Sequence, residues 1–321
     1  MNKNSVYKQL ILLFSLLPLS SVAFSESDYG EEPRTDAAIQ ADAFFWGVFH
    51  NGEYDQIPAV LNALTGAHLV DPKDAITTAH IGFTHVWRLT ERWRLDEIPP
   101  TVTDHGVLGQ SYFQQAVRLN PYDFRYLGFL GGMTMAEGDI HRDKKLVGKG
   151  YSTLLKSIRA FPEFNYVTGG LLESVLPATS KRFQRALEWQ WKTIDVCVGE
   201  KIDRGNPDMS PYLHLATTEG PKRVCWNGWI APHNFEGFFL NMGDMLVKSG
   251  DWRTAQKIYA NAKLLPDYSH WKFSDVLEER ISQARANVAL FNEVPDPSGQ
   301  ARLTNPIMFQ STYACMACHQ D

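Results

Sequence analysis

The last seven residues of the chain contain side chains whose types and spacing could do chemistry. Cys315 and Cys318 are three residues apart, and His319 follows directly. On a helical turn, residues three apart lie on one face, so both thiols would reach toward the same object. Two thiols can bond covalently to the edge of one flat group, while the adjacent imidazole can ligate a metal ion. This spacing would let all three side chains act on one bound group.

The run Cys-x-x-Cys-His resembles the attachment signature of c-type cytochromes. The resemblance implies one haem c, with Cys315 and Cys318 bonded to its two vinyl groups and His319 as an axial iron ligand. The signature lies on the last predicted helix, and in this respect the C-terminal segment also resembles the cytochrome c′ group. The 321-residue length and the repeats of the chain do not fit that group, so its open distal side and gas binding are not carried over.

Two other chemistries use the same residue types. A redox-active dithiol normally opens a helix that follows a strand, and no strand pattern precedes Cys315. A zinc site would need a fourth ligand and usually a second pair of spaced cysteines, which the tail lacks. The five-residue signature therefore favours haem over both.

A sixth iron ligand would have to come from the helical body. His80 shares an apolar face with Phe83 and Trp87 at helical spacing, so we predict it as that ligand. The competing interpretation is a core histidine bonded to a backbone carbonyl. Met308 and Met316 lie in the tail itself and are poorly placed to cross the ring. The rival histidines are His85, His141, His233 and His270.

Positions 239–266 carry a repeat pattern. Small residues would let two antiparallel helices approach closely, larger ones would fill the space around them, and Pro266 would end the second helix. The pattern resembles the tetratricopeptide repeat, which implies a helical hairpin with a turn near Gly250-Asp251. Its defining residues are Phe239, Met242, Gly243, Leu246, Trp252, Ala255, Tyr259 and Ala262.

Weaker copies of this hairpin occur upstream. Asn51-Gly52-Glu53-Tyr54 looks like the same turn, and helices are predicted to end at Pro72, Pro121 and Pro162. The sequence therefore predicts an all-α fold, a tetratricopeptide-like helical hairpin array with a C-terminal haem-bearing helix. The predicted segments are a leader at 1–25, a helical repeat domain at 26–291, a linker at 292–305 and a haem-attachment helix at 306–321.

Glycine and proline concentrate in residues 198–232, which predicts a long ordered loop inside the repeat domain. Cys197 and Cys225 lie at its ends, and we expect them to form a disulfide. The aromatic residues after Cys225 are read as packed core rather than as a porphyrin pocket, and Glu91, Arg92 and Arg94 as a solvated helix end. The aromatic residues are Trp226, Trp229, Phe235, Phe238 and Phe239.

The first 25 residues have the pattern of a secretory signal peptide. Lys3 and Lys8 precede a short apolar run at 10–19, and small residues follow at Ser21-Val22-Ala23. We predict cleavage near Ala23–Ser25 and a periplasmic or secreted location. The apolar run is too short to span a bilayer, and no transmembrane segment is expected in the mature chain.

Composition narrows the function further. The formal net charge is −5, so the chain lacks the basic balance of a nucleic-acid-binding protein. It contains no Gly-rich phosphate loop, no Gly-x-Ser-x-Gly elbow and no His-Glu-x-x-His pair, which argues against nucleotide and hydrolase chemistry.

Electron transfer by a single haem is the leading functional hypothesis, with a redox protein partner docked on the repeats. In this interpretation the protein is a carrier rather than an enzyme. One alternative is a scaffold that binds a partner or a second copy of itself, with an accessory haem. The other is a sensor or enzyme with an open iron site, which an absorption spectrum would distinguish from a carrier.

Overall fold

The computed structural model describes residues 33–226, 235–293 and 305–319. Within these ranges the chain forms eleven α-helices and no strand, which confirms the predicted all-α class. The helices are α1 (Asp36–His50), α2 (Ile57–Val70), α3 (Ala75–Thr90), α4 (Asp104–Leu119), α5 (Phe124–Ile140), α6 (Lys144–Ala160), α7 (Pro162–Ser174), α8 (Lys181–Val198), α9 (Phe235–Lys248), α10 (Trp252–Asn261) and α11 (Ser274–Leu290).

Consecutive helices pack against each other as hairpins, as the sequence predicts. The pairs are α1 with α2, α3 with α4, α5 with α6, α7 with α8, and α9 with α10, while α11 packs on α9 and α10. A short loop turns the chain back on itself, so each helix packs antiparallel to the next one along the chain.

Local sequence signals set the ends of these helices. The side chains of Asp74, Asp143 and Asp251 accept hydrogen bonds from amides in the first turns of α3, α6 and α10. Such caps satisfy amides that have no partner inside the helix. At the other ends, α2 and α4 stop two residues before Pro72 and Pro121, because proline lacks the amide that would continue the helix.

The close approach expected in the 239–266 repeat is present. A Cβ atom on Gly243 would lie 2.1 Å from Cε1 of Tyr259, so only glycine lets α9 and α10 meet at this distance. Ala255 and Ala262 are fully buried in the same interface. The hairpin therefore depends on the small residues by which the sequence resembles a tetratricopeptide repeat.

The predicted disulfide between Cys197 and Cys225 is confirmed, with a Cα–Cα distance of 5.7 Å. It joins the end of α8 to a 3₁₀ turn at Pro221–Cys225. Asn261 on α10 also holds the intervening loop, because its Oδ1 accepts the amide of Met209 at 2.8 Å and its Nδ2 donates to the carbonyl of Pro207 at 3.1 Å. In the described part of the 198–232 loop, the disulfide thus holds the end and Asn261 holds the middle.

The aromatic cluster around α9 is core, as expected. Phe235 stacks on Phe239 at 5.4 Å between ring centroids, and Trp226 meets the edge of Phe235 at 5.0 Å. All three rings are buried, as is Phe238. Trp229 lies outside the described residues, as do the leader at 1–25 and most of the linker at 292–305.

The last segment differs from the predicted helix at 306–321. Residues 305–319 form one 3₁₀ turn, Met308–Gln310, followed by a series of turns. The difference has a physical cause, because a carboxylate of the helical body takes up amides that would lie inside that helix. Glu91 accepts hydrogen bonds from the amides of Cys315 and Met316, whereas Asp244 accepts one from the amide of Met308 in the first turn. In the described parts of the chain, no helix has the length and apolarity needed to cross a membrane.

Candidate functional site

The segment 305–319, called the tail below, is anchored at its start by a buried ion pair. Asp244 and Arg280 are almost fully buried, and Nε of Arg280 lies 3.3 Å from Oδ1 of Asp244. Oδ2 of Asp244 accepts the amide of Met308 at 2.7 Å, and Nη2 of Arg280 donates to the carbonyl of Pro306 at 2.7 Å. Burial raises the pKa of Asp244, and the adjacent guanidinium counters that rise. Both charges are therefore used to hold the tail.

The three motif residues predicted from the sequence lie together on one turn. The amide of His319 donates to the carbonyl of Cys315 at 3.0 Å, and the amide of Cys318 donates to the same carbonyl at 3.1 Å. One helical turn is thus formed where the spacing requires it, even though the predicted longer helix is absent. The structure therefore brings both thiols and the imidazole onto a single rigid element.

Glu91 holds the beginning of this turn. Its Oε1 accepts the amides of Cys315 at 2.7 Å and Met316 at 3.1 Å. Its Oε2 accepts Nε1 of Trp87 at 3.0 Å and Nη1 of Arg94 at 3.1 Å. The expectation that Glu91 belongs to a solvated helix end is wrong, because the residue is completely buried.

Packing fixes the other side of the motif. The indole Nε1 of Trp271 donates to the carbonyl of Ala317 at 3.0 Å. A Cβ atom on Gly237 of α9 would lie 2.5 Å from Sγ of Cys318, so the tail rests directly on the helix backbone. Met316 belongs to the apolar cluster of α1 and α2, whereas Ala317 and Cys318 belong to that of α8 and α9. The motif therefore joins two hydrophobic clusters.

Neither motif thiol is in a disulfide, unlike Cys197 and Cys225. Burial raises the pKa of Cys318 to about 12, with a further rise from the nearby Glu236, and it raises the pKa of Cys315 well above its usual range. Burial also raises the pKa of Glu236 itself to about 7. Both cysteines are therefore neutral thiols near pH 7, because ionisation in an apolar surrounding costs free energy.

Beside Cys318 there is a small cleft of about 20 Å³, which is room for about one water molecule. It is bordered by helices α7, α8 and α9 and by the 3₁₀ turn that carries Cys225. Most of its surface is apolar, so the surroundings of Cys318 are hydrophobic but closely packed. Its lining residues are Glu163, Val167, Thr193, Val224, Cys225, Phe235, Phe238 and Cys318.

His319 packs on an aromatic column of α1. Its ring lies 5.0 Å from the ring of Phe49, which stacks on Phe45 at 5.5 Å. Phe45 in turn stacks on His80 at 4.6 Å, and Nδ1 of His80 pairs with the carboxylate of Asp42. The two imidazoles are thus related through two phenyl rings and do not face each other. The assignment of His80 as sixth ligand remains a prediction.

The rival histidines occupy different settings. Nδ1 of His85 is 2.8 Å from Nδ1 of His105, so one imidazole donates to the other. Burial and the neighbouring ring lower the pKa of His85 to about 4. His141 and His270 are exposed on the surface, and His233 lies outside the described residues. Among the described residues, no ring contact or hydrogen bond joins His85, His141 or His270 to the motif residues.

Sequence reasoning missed Glu91 although a signal was present. Positions 80, 83, 87 and 91 follow one another at helical spacing, so Glu91 continues the apolar face that carries Trp87. A carboxylate on a buried face requires donors from elsewhere in the fold. That requirement predicts a partner, but no local pattern could show that the donors come from residues more than 220 positions away.

Across the described residues, no group of three or more His, Cys, Asp or Glu side chains is arranged to hold a metal ion directly. Comparison of the chain with protein-family models, with characterised proteins and with solved structures produced no match in any of the three.

Proposed function

We propose that the protein is an exported c-type cytochrome that carries one covalent haem and passes electrons to or from a redox protein partner docked on its helical hairpins. The observation that carries the proposal is the run Cys315-x-x-Cys318-His319. Its support from the structure is that these three residues share one turn, and that the turn is held by buried contacts at both ends of the tail.

The residues present fit the group. Cys315 and Cys318 are available as thiols and would bond to the porphyrin edge, while His319 would supply an axial nitrogen to the iron. The side chains around Cys318 are mostly apolar, which suits the edge of a hydrophobic ring, and they would have to move apart to admit it, because the cleft between them measures about 20 Å³. When bound, haem supplies an iron centre that gains and loses one electron. The chain's own contribution is to attach, orient and shield that centre.

The five-residue signature favours haem over the two alternatives. A redox dithiol normally opens a helix that follows a strand, and the described residues contain no strand. A structural zinc site needs four ligands, and no group of three or more His, Cys, Asp or Glu side chains in the described residues is arranged to hold a metal ion.

The contacts that hold the turn of His319 support a carrier function. Electron transfer is fast when the iron and its ligands hardly move, so a carrier needs a rigid ligand mount. The turn of His319 is fixed through Glu91 and Trp271, and the start of the tail through Asp244. Export agrees with the signal-peptide pattern of residues 1–25 and with the Cys197–Cys225 disulfide, since such bonds persist in oxidising compartments.

The attachment is tested on full-length protein produced with its own leader in a host that attaches haem to exported cytochromes. The wild-type band on a denaturing gel should stain for haem peroxidase activity and keep the stain after acid-acetone extraction. Cys315→Ser/Cys318→Ser should lose the stain. The matched variant Cys197→Ser/Cys225→Ser removes two other cysteines and should keep it. A wild-type protein without covalent haem would refute the proposal.

The carrier role is tested by the spectra of the oxidised and reduced protein. A low-spin haem that cycles reversibly and does not bind CO supports electron transfer, because no iron position is open to a ligand. A high-spin haem that binds CO would contradict the carrier role and support the open-site sensor or enzyme.

A further inference from the structure

We infer that Glu91 is the positioning residue of the haem-attachment turn: its buried carboxyl group fixes Cys315 and Met316 in place by accepting hydrogen bonds from their amides. The inference rests on the proposed function for its effect on the iron. Its effect on the turn, in contrast, is a property of the polypeptide alone and can be measured without haem.

The bonding geometry favours the ionised form of Glu91, because its four donors oppose the rise in pKa that burial imposes on its carboxyl group. All four contacts of the carboxyl group are donors, namely the amides of Cys315 and Met316, the indole of Trp87 and the guanidinium of Arg94. A protonated carboxyl would direct its own hydrogen at one of these donors. A carboxylate accepts from all four, and hydrogen bonds to an ionised acceptor are about twice as strong as neutral ones.

These bonds also decide where the turn lies. The first amides of a helical turn have no partner within the turn, so an acceptor placed there sets both its position and its direction. Side chains usually cap a turn from a neighbouring position, but Glu91 caps this one from the far end of α3, 224 residues away from Cys315. The attachment residues are thereby tied to α3, the same helix that carries Trp87 and His80.

A fixed anion close to the attachment residues acts on the iron as well. Oxidised haem iron carries one more positive charge than reduced iron, so a nearby carboxylate stabilises the oxidised state and lowers the midpoint potential. Arg94 offsets part of this charge, but its side chain is partly exposed and screened by water, whereas Glu91 is buried. Removing the charge of Glu91 while keeping its shape should therefore raise the potential.

The first experiment follows amide hydrogen exchange in the tail of the full-length protein, with haem and as the haem-free Cys315→Ser/Cys318→Ser chain. Glu91→Met has a similar length and removes the acceptor of all four donors, whereas the amide oxygen of Glu91→Gln could still accept from the 315 and 316 amides. Glu91→Met is therefore the variant for this experiment. We expect exchange in the segment containing the 315 and 316 amides to accelerate about tenfold or more in both forms. Glu91→Asp is the second variant, because it keeps the charge and should keep the fold.

Glu173→Met is the matched control. Glu173 is equally buried but pairs with Arg182, so its loss should leave exchange at 315 and 316 unchanged. The second experiment measures the midpoint potential of the haem protein, which should rise in Glu91→Gln and stay near the wild-type value in Glu91→Asp. Unchanged exchange at 315 and 316 in Glu91→Met, or equal acceleration in Glu173→Met, would overturn the assignment. Absence of haem from the wild type would refute the proposed function alone, since the exchange result stands without it.

Discussion

Gly237 and Cys318 are in contact where no side chain could be added between them. A Cβ atom on Gly237 would lie 2.5 Å from Sγ of Cys318 and 2.3 Å from the carbonyl oxygen of Ala317. Real Cβ atoms do not approach backbone atoms this closely. Helix α9 therefore touches the attachment turn with its own backbone, and glycine at 237 is the condition for that contact.

Gly237→Ala should undock the tail. Alanine normally stabilises a helix interior by up to about 1 kcal/mol over glycine. Here the clash should reverse the sign and lower the free energy of unfolding by about 1–3 kcal/mol, the usual cost of overpacking. Urea denaturation followed by circular dichroism measures the change. Gly148→Ala in α6 is the control, because nothing lies within 4 Å of its Cβ position, and it should be neutral or stabilising. Destabilisation by both alanines would show that the contact with Cys318 is not the cause.

The Cys197–Cys225 disulfide closes a loop with a sequence separation of 28. The chain-entropy model gives about 3–4 kcal/mol for a loop of this size. Cys197→Ser/Cys225→Ser should therefore lower the midpoint of urea unfolding, and a reducing agent should have the same effect on the wild type but none on the variant. Two alkylatable thiols at 197 and 225 in the oxidised protein would contradict the bridge.

His85 should make the fold sensitive to acid. Its folded-state pKa of about 4 lies below the ordinary value of 6.5, first because of burial and second because of His105. Between these two pH values the unfolded chain binds a proton that the folded chain does not. Stability is therefore lost as pH falls from about 6.5 toward 4, by roughly 3 kcal/mol in all.

His85→Gln tests this acid sensitivity. The variant should show a flatter decline of unfolding free energy between pH 6.5 and 4 than the wild type. His141→Gln, which replaces an exposed imidazole, should keep the wild-type slope. The charged neighbours that act on the pair are Arg88 and Asp104, both through His105, and neither substitution removes them. An unchanged slope in His85→Gln would rule out this residue as the source.

Most of the fold could be predicted from the sequence because its signals are local. Prolines end helices within a few residues, and small residues such as Gly243 reveal a close helix pair. The disulfide partners are the two cysteines that the Cys-x-x-Cys-His motif does not use. Each of these inferences needs only neighbouring positions or the number of cysteines in the chain.

The tail could not be predicted from local signals. We predicted a helix at 306–321, yet Asp244 holds the amide of Met308 in its first turn and Glu91 takes amides from what would be its interior. Those acceptors lie on α9 and at the end of α3. Only the tertiary fold brings them to the tail, so no periodicity within residues 306–321 could indicate the outcome.

The last prediction concerns the second axial ligand, for which His80 stays the named candidate. Its Nδ1 pairs with Asp42, an arrangement that fixes the ring orientation and leaves Nε2 as the nitrogen for a metal. Phe45 and Phe49 lie between its ring and that of His319, so ligation by His80 requires these two phenyl rings to move aside for the porphyrin.

We expect a low-spin spectrum in the wild type. His80→Ala should convert it to high spin or allow CO to bind, with the covalent haem retained. Asp42→Asn is the graded variant, because it weakens the ligand's support without removing the imidazole and should leave a larger high-spin fraction than the wild type. His85→Ala is the control and should keep the low-spin spectrum, since its ring is engaged with His105. An unchanged spectrum in His80→Ala would assign the ligand elsewhere, and the same measurement on His233→Ala would then test the rival histidine that lies outside the described residues.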